Sequence, residues 1–451
     1  MKLGVFIAAA IERQARFVDE LTFGQLPDHA IRAAKTILLD SIGCMAAGSN
    51  QLKTSYINGI SRHGNSKIIG TSESCSPEWA AFMNGCNLVA TELDEGNQYA
   101  KGHPAAHFLP ALLAEAQILG CSGKEFLTAF VAAYEIAVRW GSAVTLAPSV
   151  HPHGNWGTAS AAAAVAKLRG AGSEKLQEII YVSSSLPMTS AWNSALNGAN
   201  VRNAYIGASN MLGWMAPAMA ELGIASDSSV LSQLYGEILG RELKVPLLQE
   251  GLGEQFYIES NYMKIHACCR FGHGAIDAVI AMREDGIKLG SVERVSVETY
   301  GAASRLVNPL PVNPLAAKFS IPFSLAILLS RGSIGEDQFT PETVADPEIR
   351  QRAARVAVSE DPLLTALLPD ERATRVTLYL PDGTSRTKEI RAALGEFSNP
   401  LEAEQLAQKF HTLSSPVWDR ERRERIHAVA MNIEQIEDIG RFTDLLVNET
   451  G

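Results

Sequence analysis

Three short polar segments interrupt an otherwise apolar sequence and carry side chains suited to acid–base chemistry. The first contains Glu92 and Asp94 and is followed closely by His103. A histidine beside a carboxylate can act as a general base, because the carboxylate orients the ring and adjusts its pKa. The alternative is a solvated acidic helix end, since charged residues near helix termini are ordinary. The residues fit both interpretations.

The second segment is a His/Gly-rich loop that contains His151 and His153 and directly precedes an alanine-rich helical pattern. The first turn of a helix presents free N–H groups that bind anions. A histidine beside it can hold a carboxylate or transfer a proton. The loop could equally be a simple connection, with Thr158 as the N-cap of the helix.

The third segment contains Lys264, Cys268, Cys269 and Arg270 and lies where the pattern of the chain changes. Junctions between domains are preferred places for small-molecule pockets. The two cations can neutralise carboxylates, and a lysine in an apolar setting can have a lowered pKa and act as base or acid. An interdomain patch of salt bridges is the alternative.

Metal and cofactor chemistry find little support in the motifs. His103 and His107 are four residues apart, but H-E-x-x-H is absent and Pro104 disfavours a shared helical face. The P-loop and G-x-S-x-G motifs are absent, and no G-x-G-x-x-G follows a predicted strand. The sequence therefore predicts acid–base chemistry on an anionic substrate, with no metal and no organic cofactor.

Composition narrows the class of protein further. The chain has 451 residues, with 39 Lys and Arg against 49 Asp and Glu, and a formal net charge of −10. This charge argues against a nucleic-acid partner, and no apolar run is long enough for a membrane span. An anionic substrate must therefore be attracted locally. Six cysteines without C-x-x-C spacing predict reduced thiols and a cytoplasmic location.

Helical patterns dominate up to about residue 265. One begins at Pro27, and another begins at Ser76-Pro77-Glu78 and is predicted to end near residues 93–96. A capping box at residues 122–125 begins a third. Small residues at 159–166 predict a helix that its neighbours approach closely.

The pattern changes after about residue 268. Residues 292–300 alternate as a strand does, and residues 375–380 and 384–390 predict a hairpin around an Asp-Gly turn. Residues 320–329 and 347–358 are predicted to be helical, and helices resume at 399. We therefore predict a mostly α fold: a large all-helical domain (1–267), a smaller inserted α+β lid domain (268–398) and C-terminal helices (399–451) that return to the helical domain.

Taken together, these segments resemble the MmgE/PrpD family, which includes 2-methylcitrate dehydratase, cis-aconitate decarboxylase and iminodisuccinate epimerase. The resemblance spans nearly the whole chain and depends on the order and spacing of its motifs. These motifs are Leu39-Asp40-Ser41-Ile42-Gly43-Cys44 with Gly48, Glu92-Leu93-Asp94-Glu95, His103-Pro104 with Pro110-Ala111, His151-Pro152 with Gly157, Lys264 with Cys268-Cys269-Arg270, Ala275-Ile276-Asp277-Ala278, Asn308-Pro309 and Lys318-Phe319-Ser320.

The resemblance implies a homodimer with its active site in the cleft between a helical domain and a smaller lid. It implies an enzyme without metal or organic cofactor that handles a proton next to a carboxylate of a small di- or tricarboxylate. Residue by residue, it implies pocket histidines at His103 and His151, a basic residue at Lys264, and an acidic motif at Glu92 and Asp94.

The chain also departs from the family pattern. Arg202 stands where many members have lysine, and its guanidinium cannot exchange a proton near neutrality, so carboxylate binding is the expected role. Tyr205 stands where a histidine is usual, and His153 where threonine is frequent. Asn97 stands where a further His or Thr is common. These changes suggest a divergent member.

A dehydratase-type lyase related to 2-methylcitrate dehydratase is the first functional hypothesis, because that activity is the commonest one the resemblance implies. An epimerase of an aspartate-derived dicarboxylate such as iminodisuccinate is the second, and a non-catalytic metabolite-binding dimer is the third. The predicted catalytic residues are His103, His151, Asp94 and Lys264. The predicted substrate-binding residues are Arg202, Glu92, His153, Tyr205 and Arg270.

Overall fold

The computed structural model describes residues 2–52, 57–61 and 64–448. Up to about residue 260 the chain is a bundle of helices with a few very short strand pairs. The helices are α1 (Lys2–Glu20), α2 (Asp28–Gly48), α3 (Ile57–Ile60), α4 (Pro77–Leu88), α5 (Pro104–Leu119), α6 (Gly123–Ala143), α7 (Thr158–Leu168), α8 (Ser173–Ser184), α9 (Trp192–Leu196), α10 (Val201–Glu221) and α11 (Ser228–Gln233). The strands are β1 (Ser66–Lys67), β2 (Ser74–Cys75), β3 (Gly96–Asn97), β4 (Val144–Leu146), β5 (Gly240–Leu243) and β6 (Asn261–Tyr262).

Small residues let the central helices approach closely, as the sequence predicted. Helix α7 is buried along its alanine-rich stretch. A Cβ added to Gly213 of α10 would lie only 2.3 Å from the methyl group of Ala161. The predicted capping box of α6 is also present, because Ser122 and Glu125 bond each other's backbone N–H groups. This core fixes the helices whose ends carry the polar segments.

Helix α4 ends at least five residues before its predicted end near residues 93–96. It stops at Leu88, and Glu92 has a φ of 60°, in the left-handed region that a right-handed helix cannot contain. Two lysines bond carbonyls of this stretch: Lys318 Nζ donates to Thr91 at 3.0 Å and Lys409 Nζ donates to Leu93 at 2.7 Å. The acidic motif therefore lies on a loop held by distant residues, not on a helix end.

The later part of the chain builds a four-stranded sheet of order β10-β9-β7-β8. Its strands are β7 (Arg294–Thr299), β8 (Val356–Glu360), β9 (Thr374–Tyr379) and β10 (Ser385–Ile390). The predicted hairpin is confirmed, with Ser385 opposite Tyr379, and β7 pairs antiparallel with β9 and parallel with β8. The helices of this part are α12 (His273–Glu284), α13 (Pro314–Lys318), α14 (Ile321–Arg331), α15 (Pro341–Ala345), α16 (Pro347–Ala353) and α17 (Pro362–Thr365).

The prediction that residues 347–358 are helical was wrong for its second half. Helix α16 ends at Ala353, and the chain enters β8 at Val356. Val358 lies opposite Val297 in the parallel pair, so the pairing with β7 decides the conformation of this stretch. That pairing joins segments about 60 residues apart, so the residues around Val356 carry no local sequence signal for a strand.

Three further helices, α18 (Ala403–Ser414), α19 (Arg420–Ala430) and α20 (Ile439–Leu445), pack against the first part of the chain. Gly43 of α2 makes room for Phe410, whose ring would lie 3.3 Å from an added Cβ. The predicted fold class, mostly α with a smaller α+β part, is confirmed. The division at residues 267 and 398 stays a prediction. In the described residues no helix is long and apolar enough to cross a membrane, and all six cysteines are free thiols.

Candidate active site

Asp94 lies at the centre of a buried polar cluster and contacts two of the predicted site residues. Its Oδ2 is 2.9 Å from Nδ1 of His103, and its Oδ1 is 3.0 Å from Nζ of Lys264. The Asp94 and Lys264 side chains are 1% and 0% exposed, so water screens their charges little. The structure thus brings together an acidic loop, the residue before α5 and the segment after β6.

The hydrogen bonds of His103 define which ring nitrogen carries the proton. Besides Asp94, Nδ1 lies 2.6 Å from the carbonyl oxygen of Glu95. A carbonyl can only accept, so Nδ1 must carry the hydrogen. Nε2 then has a lone pair that can accept a proton, in the manner of a general base oriented by a carboxylate.

Glu92 joins the two cations that the sequence analysis assigned to substrate binding and catalysis. Its Oε1 forms an ion pair with the Arg202 guanidinium, and its Oε2 is 3.5 Å from Lys264 Nζ. Arg202 also donates to the carbonyl of Val89 at 3.2 Å and to Asn203 Oδ1 at 3.1 Å. Two carboxylates and two cations therefore balance each other inside the cluster.

The shared charges change the pKa values of this group. Burial acts to raise the pKa of Asp94, but the contacts with His103 and Lys264 outweigh burial and hold that pKa well below its usual range. Burial acts to lower the pKa of Lys264, but Asp94 and Glu92 raise it above its ordinary value. The idea that an apolar setting lowers the pKa of Lys264 is therefore wrong, and its ammonium group stays charged.

His107, one turn into α5, holds the histidine loop against the dyad of His103 and Asp94. Its Nδ1 donates to the carbonyl of His103 at 2.9 Å, and its Nε2 accepts from the N–H of Gly154 at 3.1 Å. Gly157 lies directly on the ring, since an added Cβ would be 2.2 Å from Cγ of His107. Sequence reasoning left His107 out of the site, although its spacing of four residues from His103 was a signal.

His151 and His153 present opposite tautomers. The backbone N–H of His153 donates to Nδ1 of His151 at 3.2 Å, so a neutral His151 carries its hydrogen on Nε2. Nε2 of His153 lies 3.4 Å from Arg202 Nη2 and accepts from it, so the hydrogen of His153 is on Nδ1. That Nδ1 is buried and has no hydrogen-bond partner in the described residues. Its unused donor is the kind of group that a ligand satisfies.

The two loop histidines and His107 are neutral at pH 7. Burial, reinforced by the charge of Arg202, holds the pKa values of His151 and His153 well below the ordinary value for histidine. Burial also lowers the pKa of His107 to about 4. His151 can therefore act as a neutral hydrogen-bond donor through Nε2. The His153 ring lies between the other two rings: its centroid is 5.3 Å from that of His103 and 4.4 Å from that of His151.

These neutral histidines predict that the fold loses stability in mild acid. Each pKa is lower in the folded state, so between about pH 6.5 and 4 the unfolded chain binds more protons and unfolding becomes easier as the pH falls. His107 alone accounts for about 3 kcal/mol over this window, at about 1.4 kcal/mol per pH unit. Thermal unfolding from pH 7 to 4.5 should show this loss, with a shallower slope in His107→Gln. Equal slopes in that variant and in His29→Gln, which changes a half-exposed ring, would contradict the assignment.

Two predicted binding residues lie at the margin of the cluster. Arg270 is paired with Glu396 at 2.6 Å and lies over the Tyr262 ring at 5.1 Å. Tyr205 places its backbone carbonyl against Gly154, and in the described residues no hydrogen bond or ring contact joins its side chain to the cluster. Their binding roles stay predictions.

Lys409 supports the acidic loop from the C-terminal helices, and sequence reasoning missed it. Its Nζ pairs with the buried carboxylate of Asp40 on α2 and donates to the carbonyl of Leu93. The family motif around Asp40 therefore has a structural partner in α18. In the described part of the chain, no group of three or more His, Cys, Asp or Glu side chains is arranged to hold a metal ion.

Comparison with known protein families agrees with this architecture. Residues 12–238 match the MmgE/PrpD N-terminal domain, and residues 266–435 match the MmgE/PrpD C-terminal domain. The chain belongs to the MmgE/PrpD family.

Curated relatives align with the chain over nearly its full length. The cis-aconitate decarboxylase of Aspergillus terreus is 24% identical over 95% of this chain and 94% of the relative. The enzyme of the same name from Mus musculus is 25% identical, over 98% and 94%, and that from Homo sapiens is 24% identical, over 98% and 95%. At this identity the shared ancestry is clear, whereas the substrate has to be argued from the site.

Proposed function

We propose that the protein is an acid–base lyase that removes a proton from the carbon next to a carboxylate of a small di- or tricarboxylate. The observation that carries the proposal is the buried dyad of Asp94 and His103, in which Nδ1 is engaged and Nε2 is left as the base. Carboxylate-oriented histidines of this kind typically contribute a factor of about 10²–10⁴ to proton transfer.

Removal of the proton leaves negative charge on the substrate carboxylate, and nearby cations stabilise it. Arg202 and Lys264 are 1% and 0% exposed, so their attraction for this charge is screened little. In the proposed mechanism His103 Nε2 takes the proton. The neutral His151 donates a hydrogen bond through Nε2 to the group that departs or to the carboxylate.

The fate of the charged intermediate defines the reaction. Loss of a β-hydroxyl group gives dehydration, as in a 2-methylcitrate-dehydratase-like reaction, which is the first specific hypothesis. Decarboxylation, the reaction for which the relatives from Aspergillus terreus, Mus musculus and Homo sapiens are named, needs the reverse proton transfer. The bond to the carboxylate breaks as CO₂ leaves, its electron pair stays on the substrate, and a protonated His103 would deliver a proton to the carbon. Both are lyase reactions in which the same dyad could transfer the proton.

Charge balance in the cluster favours a second candidate, an epimerase of an aspartate-derived dicarboxylate such as iminodisuccinate. Glu92 and Asp94 already neutralise Arg202 and Lys264. A purely anionic substrate would meet a site without net positive charge. A substrate that also has a cationic nitrogen could pair its carboxylates with the two cations of the site and its nitrogen with the two carboxylates. Proton return to the opposite face of the carbon would then complete the reaction.

Proton NMR in D₂O tests these possibilities on one panel: 2-methylcitrate, citrate, cis-aconitate, tartrate and the iminodisuccinate stereoisomers, with EDTA present. A new vinylic signal or loss of a carboxylate supports the lyase. Deuterium entering next to a carboxylate without a double bond supports the epimerase. Tight binding with no exchange on any compound contradicts an enzyme and supports a metabolite-binding dimer. Gel filtration with light scattering tests the dimer, which stays a prediction.

A further inference from the structure

A cavity of about 350 Å³ lies beside the histidine cluster, between the helical part and the α+β part of the chain. Apolar and aromatic side chains form most of its wall. The largest of them are Trp156, Trp192, Phe271, Tyr300, Leu306 and Leu368. The volume lies in the range of pockets that bind small molecules.

The charged residues of this wall are all cations. Lys101, Arg305 and Arg372 line the cavity, and none of the aspartates and glutamates that the structure describes lines it. In the described residues none of the three has a carboxylate partner, and each donates to a backbone carbonyl instead: to Val144 at 3.3 Å, Pro148 at 3.2 Å and Gln98 at 3.2 Å, in that order. Among the described residues, the cavity thus gathers positive charge without an ion-paired carboxylate, in a chain of net charge −10.

Arg372 is the buried member of the three, and it differs in this respect from the other buried cations near the site. Arg202, Lys264, Arg270 and Lys318 each have a carboxylate within ion-pair distance. A buried guanidinium without such a partner is costly unless something compensates its charge. Arg372 is 8% exposed, so a bound anion would compensate it with little screening.

Aromatic contacts connect the cavity to the histidines. The Arg305 guanidinium lies 5.7 Å from the centre of the Trp192 ring, and that ring lies 4.6 Å from the ring of His151. Arg372 lies 5.4 Å from the centre of the Tyr262 ring, which also faces the histidine of the dyad at 6.4 Å. A single aromatic ring, Trp192 or Tyr262, therefore separates a cation of the cavity from His151 or His103, respectively.

We propose that this cavity binds a small carboxylate that carries an apolar body, with Arg372 as the main partner of the carboxylate. The cations select the negative charge, and the aromatic wall selects an apolar remainder. The ligand is either the substrate on its way to the histidines or a separate metabolite of the same chemistry. Binding can be measured without turnover, so its outcome does not depend on the proposed function.

Isothermal titration calorimetry with 3-phenylpropionate tests the proposal, and 3-phenylpropionamide is the neutral control of the same shape. We expect the acid to bind wild-type protein at least tenfold more tightly than the amide. Arg372→Met, which keeps the length of the chain but removes the charge, should weaken binding of the acid roughly ten- to hundredfold, as expected for a charge-assisted hydrogen bond. Arg420→Met, at an 86% exposed arginine, should leave it unchanged.

Three results would each overturn the proposal. They are equal affinity for acid and amide, equal affinity of Arg372→Met and wild type for the acid, and no detectable binding at ligand concentrations up to about 10 mM. Arg372 also stacks on Tyr262, so its methionine variant could fail to fold. Arg305→Met changes an exposed side chain and should lower affinity for the acid by about two- to fivefold. Unchanged affinity in that variant would also count against the site.

Competition identifies the source of the ligand. Displacement of 3-phenylpropionate by the di- or tricarboxylate that proves to be turned over would mark the cavity as the entrance to the active site. Simultaneous binding of both would mark a site for a separate carboxylate. Both results support the anion site. An absence of exchange in the NMR panel, with the calorimetric differences intact, would reject only the proposed reaction.

Discussion

His103→Ala should reduce the rate of proton exchange on the substrate by about 10²–10⁴-fold and change substrate affinity far less. The reason is geometric: Asp94 and the Glu95 carbonyl engage Nδ1, so Nε2 is the basic atom, and alanine removes it without removing a cation. Deuterium incorporation by NMR measures the rate, and calorimetry with the same substrate measures the affinity.

A second histidine–carboxylate pair provides the matched control. His29 pairs with Glu259 at the surface, where both side chains are about half exposed. His29→Ala should keep full exchange activity. A loss of less than tenfold in His103→Ala, or an equal loss in both variants, would remove His103 from the role of base.

Lys264→Met should lower the free energy of unfolding by about 3–5 kcal/mol and abolish turnover. The substitution leaves Asp94 and Glu92 with one cation fewer in a buried site, and removal of one partner from a buried ion pair typically costs this much. Urea denaturation at pH 7 measures the change, with Lys175→Met as the control at a largely solvated surface pair.

A compensating variant separates charge from shape. Adding Asp94→Asn to Lys264→Met removes both charges of the 3.0 Å pair, so at least half of the lost stability should return while activity stays absent. If the double variant is less stable than Lys264→Met, the loss comes from packing of the lysine stem and not from the unpaired carboxylate.

Much of the fold was predictable because its signals are local. The capping box of α6, the strand at Arg294–Thr299 and the Asp-Gly hairpin are encoded within a few residues. The strand β8 and the early end of α4 were not predictable, because pairing with β7 and capture of loop carbonyls by distant lysines decide them.

The candidate site divides in the same way. Asp94 and His103 are nine residues apart, so the sequence suggests that they lie near each other, whereas only the family resemblance put Lys264 in the same pocket. The contact of Lys264 with Asp94 comes from the structure. The structure also shows which charged groups pair and which histidine tautomers are present, and residue types alone do not define either. Glu92 was predicted to bind substrate, yet it occupies the two cations that would do so. The tautomers of His151 and His153 depend on a backbone N–H and on a guanidinium.

The bond between Lys409 and the Leu93 carbonyl has a consequence for the time course of synthesis. The two residues are 316 positions apart. At about 5–20 residues per second, a ribosome makes the loop of Asp94 roughly 15–60 s before the lysine that secures it. Until α18 is made, Asp40 on α2 lacks its ammonium partner and the Leu93 carbonyl lacks its donor. Proton transfer activity should therefore arise late, after the last helices have docked, and not as soon as the helical core has folded.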